Sequence, residues 1–430
     1  PPRPAPPPPA NPRAVAEVLA GRRTEADPAW WGLDPADATG ALQAAIDSGA
    51  RRVRLRRQAA PWVVRPIRLR SHLELVFDPG VVVLAKAGEF RGRGDSLFTG
   101  TDLEDVTLRG RGAVLRMRRA DYQQPPYEKA EWRMGIAFRG CRNIRVEGLR
   151  LEDTGGDGIY IGSSPRNRWC ENVVLRRCEC VGNHRQGLSV TSAVRLRVED
   201  CLLAGTAGTA PESGLDLEPD EADECLVGCR VRRCRFVDNQ GSGALVYLRP
   251  LTARSAPVSI RFEDCQASMD GPGGGSGFTV GWARDDGPRG QVEFIRCTTR
   301  RTGREGARVV DKSADAVAVV FRECRFLDPW QSSHPDPAHP RAALLVHQED
   351  ADFCRHPGGL VFDRCRVEDS RGGPSFHYRH GPAPVPLRAV TGDLPGSPPA
   401  PAPSAAAPGA PDPDRPDSPR VRPRVGPPRR

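Results

Sequence analysis

Five residues between positions 157 and 218 have side chains that can transfer protons or stabilise charge, and they lie in or near similar, successive segments of the chain. They are Asp157, His184, Arg185, Asp216 and Glu218. A pair of carboxyl groups can act as general acid and general base. Alternatively, an arginine or a bound cation can neutralise an anionic group while a histidine removes a neighbouring proton. We predict these five residues as catalytic.

Each of these residues also fits a structural role. Asp157 precedes a glycine and fits a turn that leads into a strand. His184 fits an exposed loop. Asp216 and Glu218 alternate along a strand and fit a solvent-facing position.

A second group of side chains is suited to binding a polar ligand by stacking and ion pairing. It comprises Tyr127, Lys129, Arg133, Tyr160, Glu212, Tyr247 and Arg249. The first three belong to a polar and aromatic insertion, Asp121–Arg133, which we expect to wall a groove. Four acids, Glu212, Asp216, Glu218 and Asp220, offer the oxygen ligands that Ca²⁺ prefers, so calcium is a candidate cofactor. The alternative is that the acidic run after Asp220 is a solvated loop.

The cysteines reveal the repeated element that must position these residues. Seven of the 13 cysteines follow an apolar residue by three positions, at spacings of 23 to 41 residues. They are Cys178, Cys201, Cys234, Cys265, Cys297, Cys324 and Cys365. Repetition at this scale is typical of a solenoid. We predict that these thiols form an inward column of small, free side chains, rather than disulfides or a metal site.

Each of these cysteines ends a short apolar segment. About ten residues after that segment comes a second short one, which begins with glycine. The segments are Gly158–Ile161, Gly187–Val190, Gly214–Leu217, Gly243–Val246, Gly277–Val280 and Gly306–Val309. Their alternating apolar residues predict strands. Short strands without intervening helices predict an all-β fold, the parallel β-helix, with coils about 4.8 Å apart. Alignment on the glycines places Tyr160, Ser189 and Asp216 in one column, and Thr191, Glu218 and Tyr247 in another.

The ends of the chain differ from the repeats. Ala38–Ala50 has one apolar face and predicts a helix that caps the first coil. Proline is concentrated in the first 12 residues and after residue 380. We therefore predict a Pro-rich segment at 1–28, a β-helix domain with its cap at 29–380, and a Pro/Ala/Arg-rich tail at 381–430, with both Pro-rich ends disordered.

The composition limits the classes of partner. The formal net charge is +9, and all but three of the 63 basic residues are arginine. A basic stripe with interleaved aromatic residues is absent from the sequence, so a nucleic-acid partner is not expected. No apolar run approaches 18 residues, so no spanning helix is expected.

The motifs resemble those of right-handed parallel β-helix proteins of the pectate lyase and polygalacturonase superfamily. Asp34–Gly49 is similar to the opening turn and capping helix of that superfamily, and Gly155–Ile161 is similar to the polygalacturonase strand that carries paired aspartates. Gly156 stands in the place of the first aspartate. Arg185–Ser192 resembles segments of both polygalacturonases and mannuronan epimerases. The resemblance covers roughly residues 34–370.

This resemblance implies a carbohydrate-active protein that cleaves or modifies a polysaccharide, including acidic ones, by glycoside hydrolysis or β-elimination. A groove along aligned columns suits a sugar chain lying lengthwise. The alternative is a non-catalytic surface or polysaccharide-binding β-helix. In either case we expect a secreted or cell-surface protein with a polysaccharide partner, in an oligomeric state that the sequence leaves open.

Overall fold

The structure is a computed structural model that describes residues 9–269, 274–331, 341–381 and 385–394. Its α-helices are α1 (Pro12–Leu19) and α2 (Thr39–Asp47), and short 3₁₀ helices span Pro28–Trp31 and Asp121–Gln123. All other regular elements of the described residues are short strands that pair in parallel with the next coil. The chain therefore forms the predicted parallel β-helix.

One sheet carries the predicted glycine-anchored strands. Within the described residues its strands are Ile67–Arg68, Phe98–Thr101, Ile136–Arg139, Ile159–Gly162, Leu188–Val190, Leu215–Leu217, Ala244–Tyr247, Phe278–Ala283, Ala307–Lys312, Leu344–His347 and Phe376–Arg379. We call it the glycine-side sheet. Its pairing puts Tyr160 opposite Ser189, and Ser189 opposite Asp216. The predicted columns are therefore present.

The remaining strands form the other walls of the coil. They are Glu25–Ala26, Arg52–Leu55, Trp62–Val64, Leu73–Phe77, Val82–Ala85, Glu104–Arg116, Arg142–Glu152, Cys170–Arg176, Glu179–Val181, Ala193–Glu199, Leu202–Ala204, Leu226–Val227, Cys229–Arg232, Arg235–Val237, Val258–Glu263, Gln266–Ser268, Gly290–Ile295, Thr298–Arg300, Ala318–Arg322, Arg325–Leu327, Gly358–Asp363, Arg366–Glu368 and Arg388–Gly392.

A single left-handed residue bends the chain between consecutive strands, directly before each cysteine of the repeat. These residues are Arg177, Asp200, Arg233, Asp264, Arg296, Glu323 and Arg364, with φ between 50° and 57°. The bend turns the next side chain inward, and that side chain is the cysteine. The thiol of Cys265 then donates to the carbonyl of Val231 in the preceding coil at 3.4 Å, and Cys324 donates to Phe294 at 3.2 Å. Cysteine is thus suited to this column because it is small and carries a weak donor.

All 13 cysteines are free and buried, as the sequence predicts for the column. We expect the native protein to resist a thiol reagent such as dithionitrobenzoate, since burial hinders attack and holds the pKa of most of these thiols high, for example Cys225 at about 11. After unfolding in guanidinium without reductant, all 13 thiols should titrate. Fewer than 13 would reveal disulfides, and rapid labelling of the native protein would contradict the buried column.

Aromatic rings form a second inner stack beside the thiols. Phe262, Phe294, Phe321 and Phe362 lie parallel, with ring centroids 4.8, 4.9 and 5.7 Å apart and interplanar angles of 9° to 12°. The separations follow the coil spacing, because one phenylalanine of each coil occupies the same place. The core is therefore built from columns of identical side chains.

The glycines that open the glycine-side strands are required by close backbone contact. A Cβ atom on Gly158 would lie 2.6 Å from the carbonyl oxygen of Gly187, and one on Gly187 would lie 2.5 Å from that of Gly214. The same holds for Gly214 against Gly243, at 2.7 Å. The repeated glycine thus reflects a steric limit imposed by the next coil.

We expect Gly187→Ala to lower the free energy of unfolding by about 1–3 kcal/mol, because the added methyl group would lie 2.5 Å from the carbonyl oxygen of Gly214 and 3.1 Å from Cβ of Leu203, so the backbone of the next coil would have to shift. Gly40→Ala, in helix α2 where a Cβ would meet no atom within 4 Å, is the matched control and should leave stability unchanged or raise it slightly, because alanine favours a helix. Chemical denaturation measures both. Equal midpoints for the two variants would contradict the steric explanation.

The N-terminal cap is confirmed, and regular structure extends beyond both predicted ends of the domain. Helix α2 buries the predicted face formed by Ala41, Leu42, Ala45 and Ile46. Helix α1 precedes the predicted domain start at 29, and Glu25–Ala26 pairs with the strand Arg52–Leu55. At the other end, Arg388–Gly392 pairs with the strand Gly358–Asp363, past the predicted boundary at 380. Pairing with an existing sheet edge accounts for strands in segments that composition alone marks as Pro-rich.

The rest of the predicted Pro-rich ends, residues 1–8, 382–384 and 395–430, lies outside the described residues. None of the helices in the described part of the chain has the length and hydropathy to cross a membrane.

Candidate active site

Neighbouring coils of the glycine-side sheet place Asp157, Gln186 and Ser213 in one column. The N–H of Gly158 donates to the carbonyl of Gln186 at 3.0 Å, and the N–H of Gly187 donates to that of Ser213 at 3.1 Å. Residues directly before the glycines therefore lie one above another. Alignment of the sequence on its repeated glycines thus places this third column correctly as well.

Arg185 lies at the centre of the site. Its guanidinium nitrogens are 3.8 Å from Glu131 Oε2, 3.8 Å from Asp157 Oδ2 and 3.7 Å from Glu218 Oε2. All three distances exceed that of a hydrogen bond, and Nε of Arg185 is buried without a hydrogen-bond partner among the described residues. Asp216 also acts electrostatically on Arg185. We call Glu131, Asp157, Asp216 and Glu218, with Arg185, the acid cluster.

Asp157 is fully buried within this cluster. Its exposed fraction is 0%, and neither carboxylate oxygen accepts a hydrogen bond of good geometry among the described residues, although the backbone N–H of Gln186 is close enough to favour the ionised form. Burial raises the pKa of Asp157 to about 7, although the charge of Arg185 acts in the opposite direction. The protonated and ionised forms of this carboxyl group are therefore both accessible near neutral pH.

Asp216 and Glu218 form the second acidic element of the site. Asp216 is 0% exposed and accepts a hydrogen bond from the side-chain amide of Gln186 at 2.8 Å. Burial, followed by the charge of Glu218, raises the pKa of Asp216 well above its usual range. The oxygen of the Gln186 amide accepts from the N–H of Ser213 at 2.8 Å, which fixes the amide so that its nitrogen faces Asp216.

The acidic loop after Glu218 approaches the same site without forming the predicted calcium cluster. Burial, followed by the charge of Glu224, raises the pKa of Asp220 to about 6. Within the described residues, the one group of acidic, histidine or cysteine ligand atoms that converges as a metal site requires is Asp285, Asp315 and His356, elsewhere in the fold. The four predicted calcium ligands do not converge in this way, because Glu212 bonds within its own loop by accepting from the N–H of Gly208.

His184 is held outside the acid cluster. The hydroxyl of Thr209 and Nε2 of His184 are hydrogen-bonded at 2.9 Å. Burial, followed by the charge of Arg119, lowers the pKa of His184, while Glu212 acts in the opposite direction. The structure thus holds the ring of the predicted catalytic His184 against the 208–212 loop, which also carries the predicted binding residue Glu212.

The predicted binding residues of the insertion divide into structural and exposed groups. Arg133 is 0% exposed and donates to the carbonyls of Phe90 at 2.8 Å and Glu128 at 2.9 Å, and its guanidinium lies over the Tyr127 ring. The Tyr127 hydroxyl accepts from the N–H of Gly88 at 2.9 Å. Arg133 and Tyr127 therefore hold the insertion in place, a role that differs from the predicted ligand contact. Lys129 is exposed.

Tyr160 packs against the coil that precedes it. The Arg139 guanidinium lies 4.8 Å from the ring centroid, and the Tyr160 hydroxyl is 3.2 Å from that of Thr191. Burial raises the pKa of this hydroxyl. Tyr160 thus borders the acid cluster with little of its ring free for a ligand.

Tyr247 and Arg249 lie beyond Glu218 in the direction of the C-terminal coils. Val246 pairs with Leu217, so the following residue, Tyr247, stands one coil from Glu218 in the same column. Tyr247 is partly exposed and Arg249 is exposed. Of the predicted binding residues, these two remain open to a ligand beside the cluster.

Two members of the site escaped the sequence prediction. Glu131 comes from the insertion, which has no counterpart in the repeat, so alignment gives no position for it. Its backbone carbonyl would lie 2.5 Å from a Cβ on Gly156, which shows how closely the insertion covers the coil that carries Asp157. Gln186 was visible in the aligned column, but an amide does not indicate chemistry until its carboxylate partner is known.

The fold agrees with that of known proteins. Residues 129–278 match a family model described as "Right handed beta helix region". An exopolygalacturonase of family 28 from Yersinia enterocolitica superposes with a TM-score of 0.57 at 13% identity, over 87% of this chain and 79% of that one. An exopolygalacturonase from Thermotoga maritima gives a TM-score of 0.53 at 11% identity, over 89% of this chain and 96% of that one.

A sequence relative covers a shorter region. The uncharacterized protein YclG of Bacillus subtilis is 31% identical over 187 residues, which is 40% of this chain and 31% of that protein. The match thus spans about a third of the relative's length. These comparisons confirm the right-handed parallel β-helix, the fold that the sequence resemblance implied.

Proposed function

Starting from a right-handed parallel β-helix with a buried acid cluster, we propose that this protein is a carbohydrate-active enzyme that cleaves a polysaccharide by glycoside hydrolysis. The observation that carries the proposal is the convergence of Asp157, Asp216 and Glu218 around Arg185 on successive coils. The similarity in fold to two exopolygalacturonases supports a sugar polymer as the ligand.

Hydrolysis requires one carboxyl group that gives a proton and one that takes a proton from water. Asp157, with a pKa of about 7, can remain protonated at mildly acidic pH and donate to the leaving oxygen. The Asp216–Glu218 pair supplies the general base, and Gln186 orients Asp216. Arg185 stabilises the negative charge that the base carries before the reaction and that Asp157 carries after it has donated its proton.

β-Elimination has less support. That reaction needs a base beside the cation that neutralises the sugar carboxylate, and His184 was the predicted base. The hydrogen bond to Thr209 instead directs the ring of His184 towards the 208–212 loop, although His184 directly precedes Arg185 in the chain. Arg185 already faces Glu131, Asp157 and Glu218.

A second candidate, a non-catalytic polysaccharide-binding β-helix, is favoured by the complete burial of Asp157 and Asp216. A substrate reaches these carboxyl groups only if the side chain of Arg185, 18% exposed, moves aside. Its long ion pairs make such movement less costly than the breaking of hydrogen bonds. Without that movement the cluster is purely structural.

The test is incubation with a panel of pectic, alginate, glycosaminoglycan and neutral polymers. We expect new reducing ends with at least one polymer and no absorbance of unsaturated products near 235 nm. Formation of unsaturated products would show that the reaction is an elimination and that the proposed hydrolysis is wrong. No change in any polymer, with binding retained, would favour the non-catalytic candidate. We expect a secreted or cell-surface location, where such polymers occur.

A further inference from the structure

A pair of aromatic side chains stands next to the acid cluster on the C-terminal side. Tyr247 and Trp282 lie on adjacent coils, with ring centroids 4.8 Å apart and planes inclined by 44°. Both are partly exposed. Tyr247 is one coil from Glu218, so the pair forms a platform directly beyond the carboxylates. Flat, half-exposed rings of this kind offer an apolar face together with a polar edge.

The backbone of Trp282 is unusual for its residue type. It has φ of 53°, inside a strand that runs from Phe278 to Ala283. A bulky residue in this region is an outlier, and such conformations concentrate at functional sites. The preceding residue, Gly281, pairs with Tyr247, so the irregular backbone is what brings Trp282 against the tyrosine ring.

Two arginines converge beyond this platform. Arg249 and Arg284 each follow one of the aromatic residues by two positions. Their guanidinium carbons lie 4.8 and 5.1 Å from the centroid of the same ring, that of Phe353. Arg284 also donates to the backbone carbonyl of Arg249 at 3.3 Å. The structure thus holds two like charges against one ring.

Nearby acids do little to neutralise this pair. Asp286, 3.9 Å from Arg284 Nε, is 75% exposed, and an exposed pair at that distance contributes little. Asp350 Oδ1 accepts from the N–H groups of Asp352 and Phe353 and so serves its own loop. Convergent arginines with weak protein counter-charges form a site for an external anion.

We propose that the surface formed by Tyr247, Trp282, Arg249, Arg284 and Phe353 binds a stretch of an anionic polysaccharide. A sugar ring stacks on the Tyr247–Trp282 platform, and carboxylate or sulfate groups further along the polymer bind Arg249 and Arg284. The surface rests on the proposed function only in taking a polysaccharide as its ligand. It gives the substrate a class, acidic, and a direction from the acid cluster towards the C-terminal coils.

The test measures binding rather than turnover, with the full chain. The probes are oligogalacturonates as the carboxylate polymer, chondroitin sulfate oligosaccharides as the sulfate polymer, and xylo-oligosaccharides as the neutral polymer, each titrated by calorimetry. Arg249→Gln/Arg284→Gln should weaken binding of at least one anionic probe by about tenfold or more and reduce its salt dependence. Trp282→Ala should weaken it as well. Arg254→Gln, in the same loop as Arg249 and exposed, is the matched control and should change nothing.

The possible outcomes separate this inference from the proposed function. If an anionic probe binds in a way that depends on both arginines and no polymer is turned over, the binding surface is supported and the proposed hydrolysis is rejected. If a polymer is hydrolysed but its binding is the same in the arginine variants, the proposed hydrolysis is supported and the proposed binding surface is overturned. The surface is also overturned if the wild-type chain binds neither anionic probe, or binds all three probes equally. Melting curves of each variant verify that it is folded.

Discussion

Asp157→Asn is expected to abolish turnover and at the same time to make the protein more stable at pH 8. The activity loss follows from removing the proposed general acid, since loss of such a group costs about 10²–10⁴-fold in rate. The gain in stability follows from burial, because ionised Asp157 is fully buried, and the cost of desolvation exceeds what the charge of Arg185 and the backbone N–H of Gln186 return to the ionised form. Opposite effects on activity and stability distinguish a functional carboxyl group from a turn-stabilising one.

The direction of the pH dependence follows from the pKa of Asp157, which burial raises from 3.8 in the unfolded chain to about 7 in the folded one. A carboxyl group with a raised pKa contributes stability that is fully present below pH 3.8 and lost as the pH rises through 7. The Asp157→Asn variant does not lose stability in this way, because asparagine does not ionise. Its advantage over the wild type should therefore be largest above pH 7, on the order of 4 kcal/mol, and should shrink towards pH 4.

Denaturation at pH 8 and at pH 5, together with rates on whichever polymer is turned over, measures both effects. Asp200→Asn is the matched control. Arg233 donates to Asp200 at 2.6 and 2.9 Å and lowers the pKa of that carboxyl group, so its amide variant should lose a little stability at pH 8 and keep full activity. If the Asp157→Asn protein is less stable than the wild type and has normal turnover, Asp157 has a purely structural role.

Arg185→Gln is expected to be among the most destabilising single changes in the chain at pH 8. It removes the cation that faces Glu131, Asp157 and Glu218, and buried charges left without a partner typically cost about 3–5 kcal/mol. The loss should lessen towards pH 5, because protonation of Asp157 and Asp216 neutralises the remaining carboxylates. Turnover should disappear at any pH at which the variant is folded.

A double variant isolates the cause of that loss. Asp157→Asn should restore part of the stability of Arg185→Gln at pH 8, since it removes one of the uncompensated charges. Arg233→Gln, on the outer surface of the solenoid, is the control and should lower stability only slightly, because an exposed ion pair contributes little. If Arg185→Gln unfolds at the same denaturant concentration as the wild type, the carboxylates do not depend on this arginine.

The sequence was sufficient for the parts of the molecule that repeat. Gly187 and Cys265 occupy places imposed by the next coil, a backbone contact in one case and a carbonyl acceptor in the other. Identical constraints in each coil leave identical residues, so alignment alone recovers the columns. That is why the sequence alone predicts Asp157 and Asp216 within three successive coils.

Side chains outside the columns could not be placed in this way. Arg133 looked like a ligand-binding cation, but its direction is set by the carbonyls of Phe90 and Glu128, which come from non-repeating segments. His184 adjoins Arg185 in sequence, yet the 208–212 loop captures its ring. The contact between Glu131 and Arg185 joins an insertion to a coil, and no periodic signal encodes such a contact.

The coil-to-coil pairing of the solenoid also protects the site from fraying. Within the described residues the strands of each coil pair with those of adjacent coils, so we expect melting to begin at an end and to advance one coil at a time, as in a chain of coupled units. The strands Ile159–Gly162, Leu188–Val190 and Leu215–Leu217 have three glycine-side strands before them and five after them within the described residues. Partial opening at either end thus leaves the carboxylates in register, and their geometry persists until the unravelling front arrives.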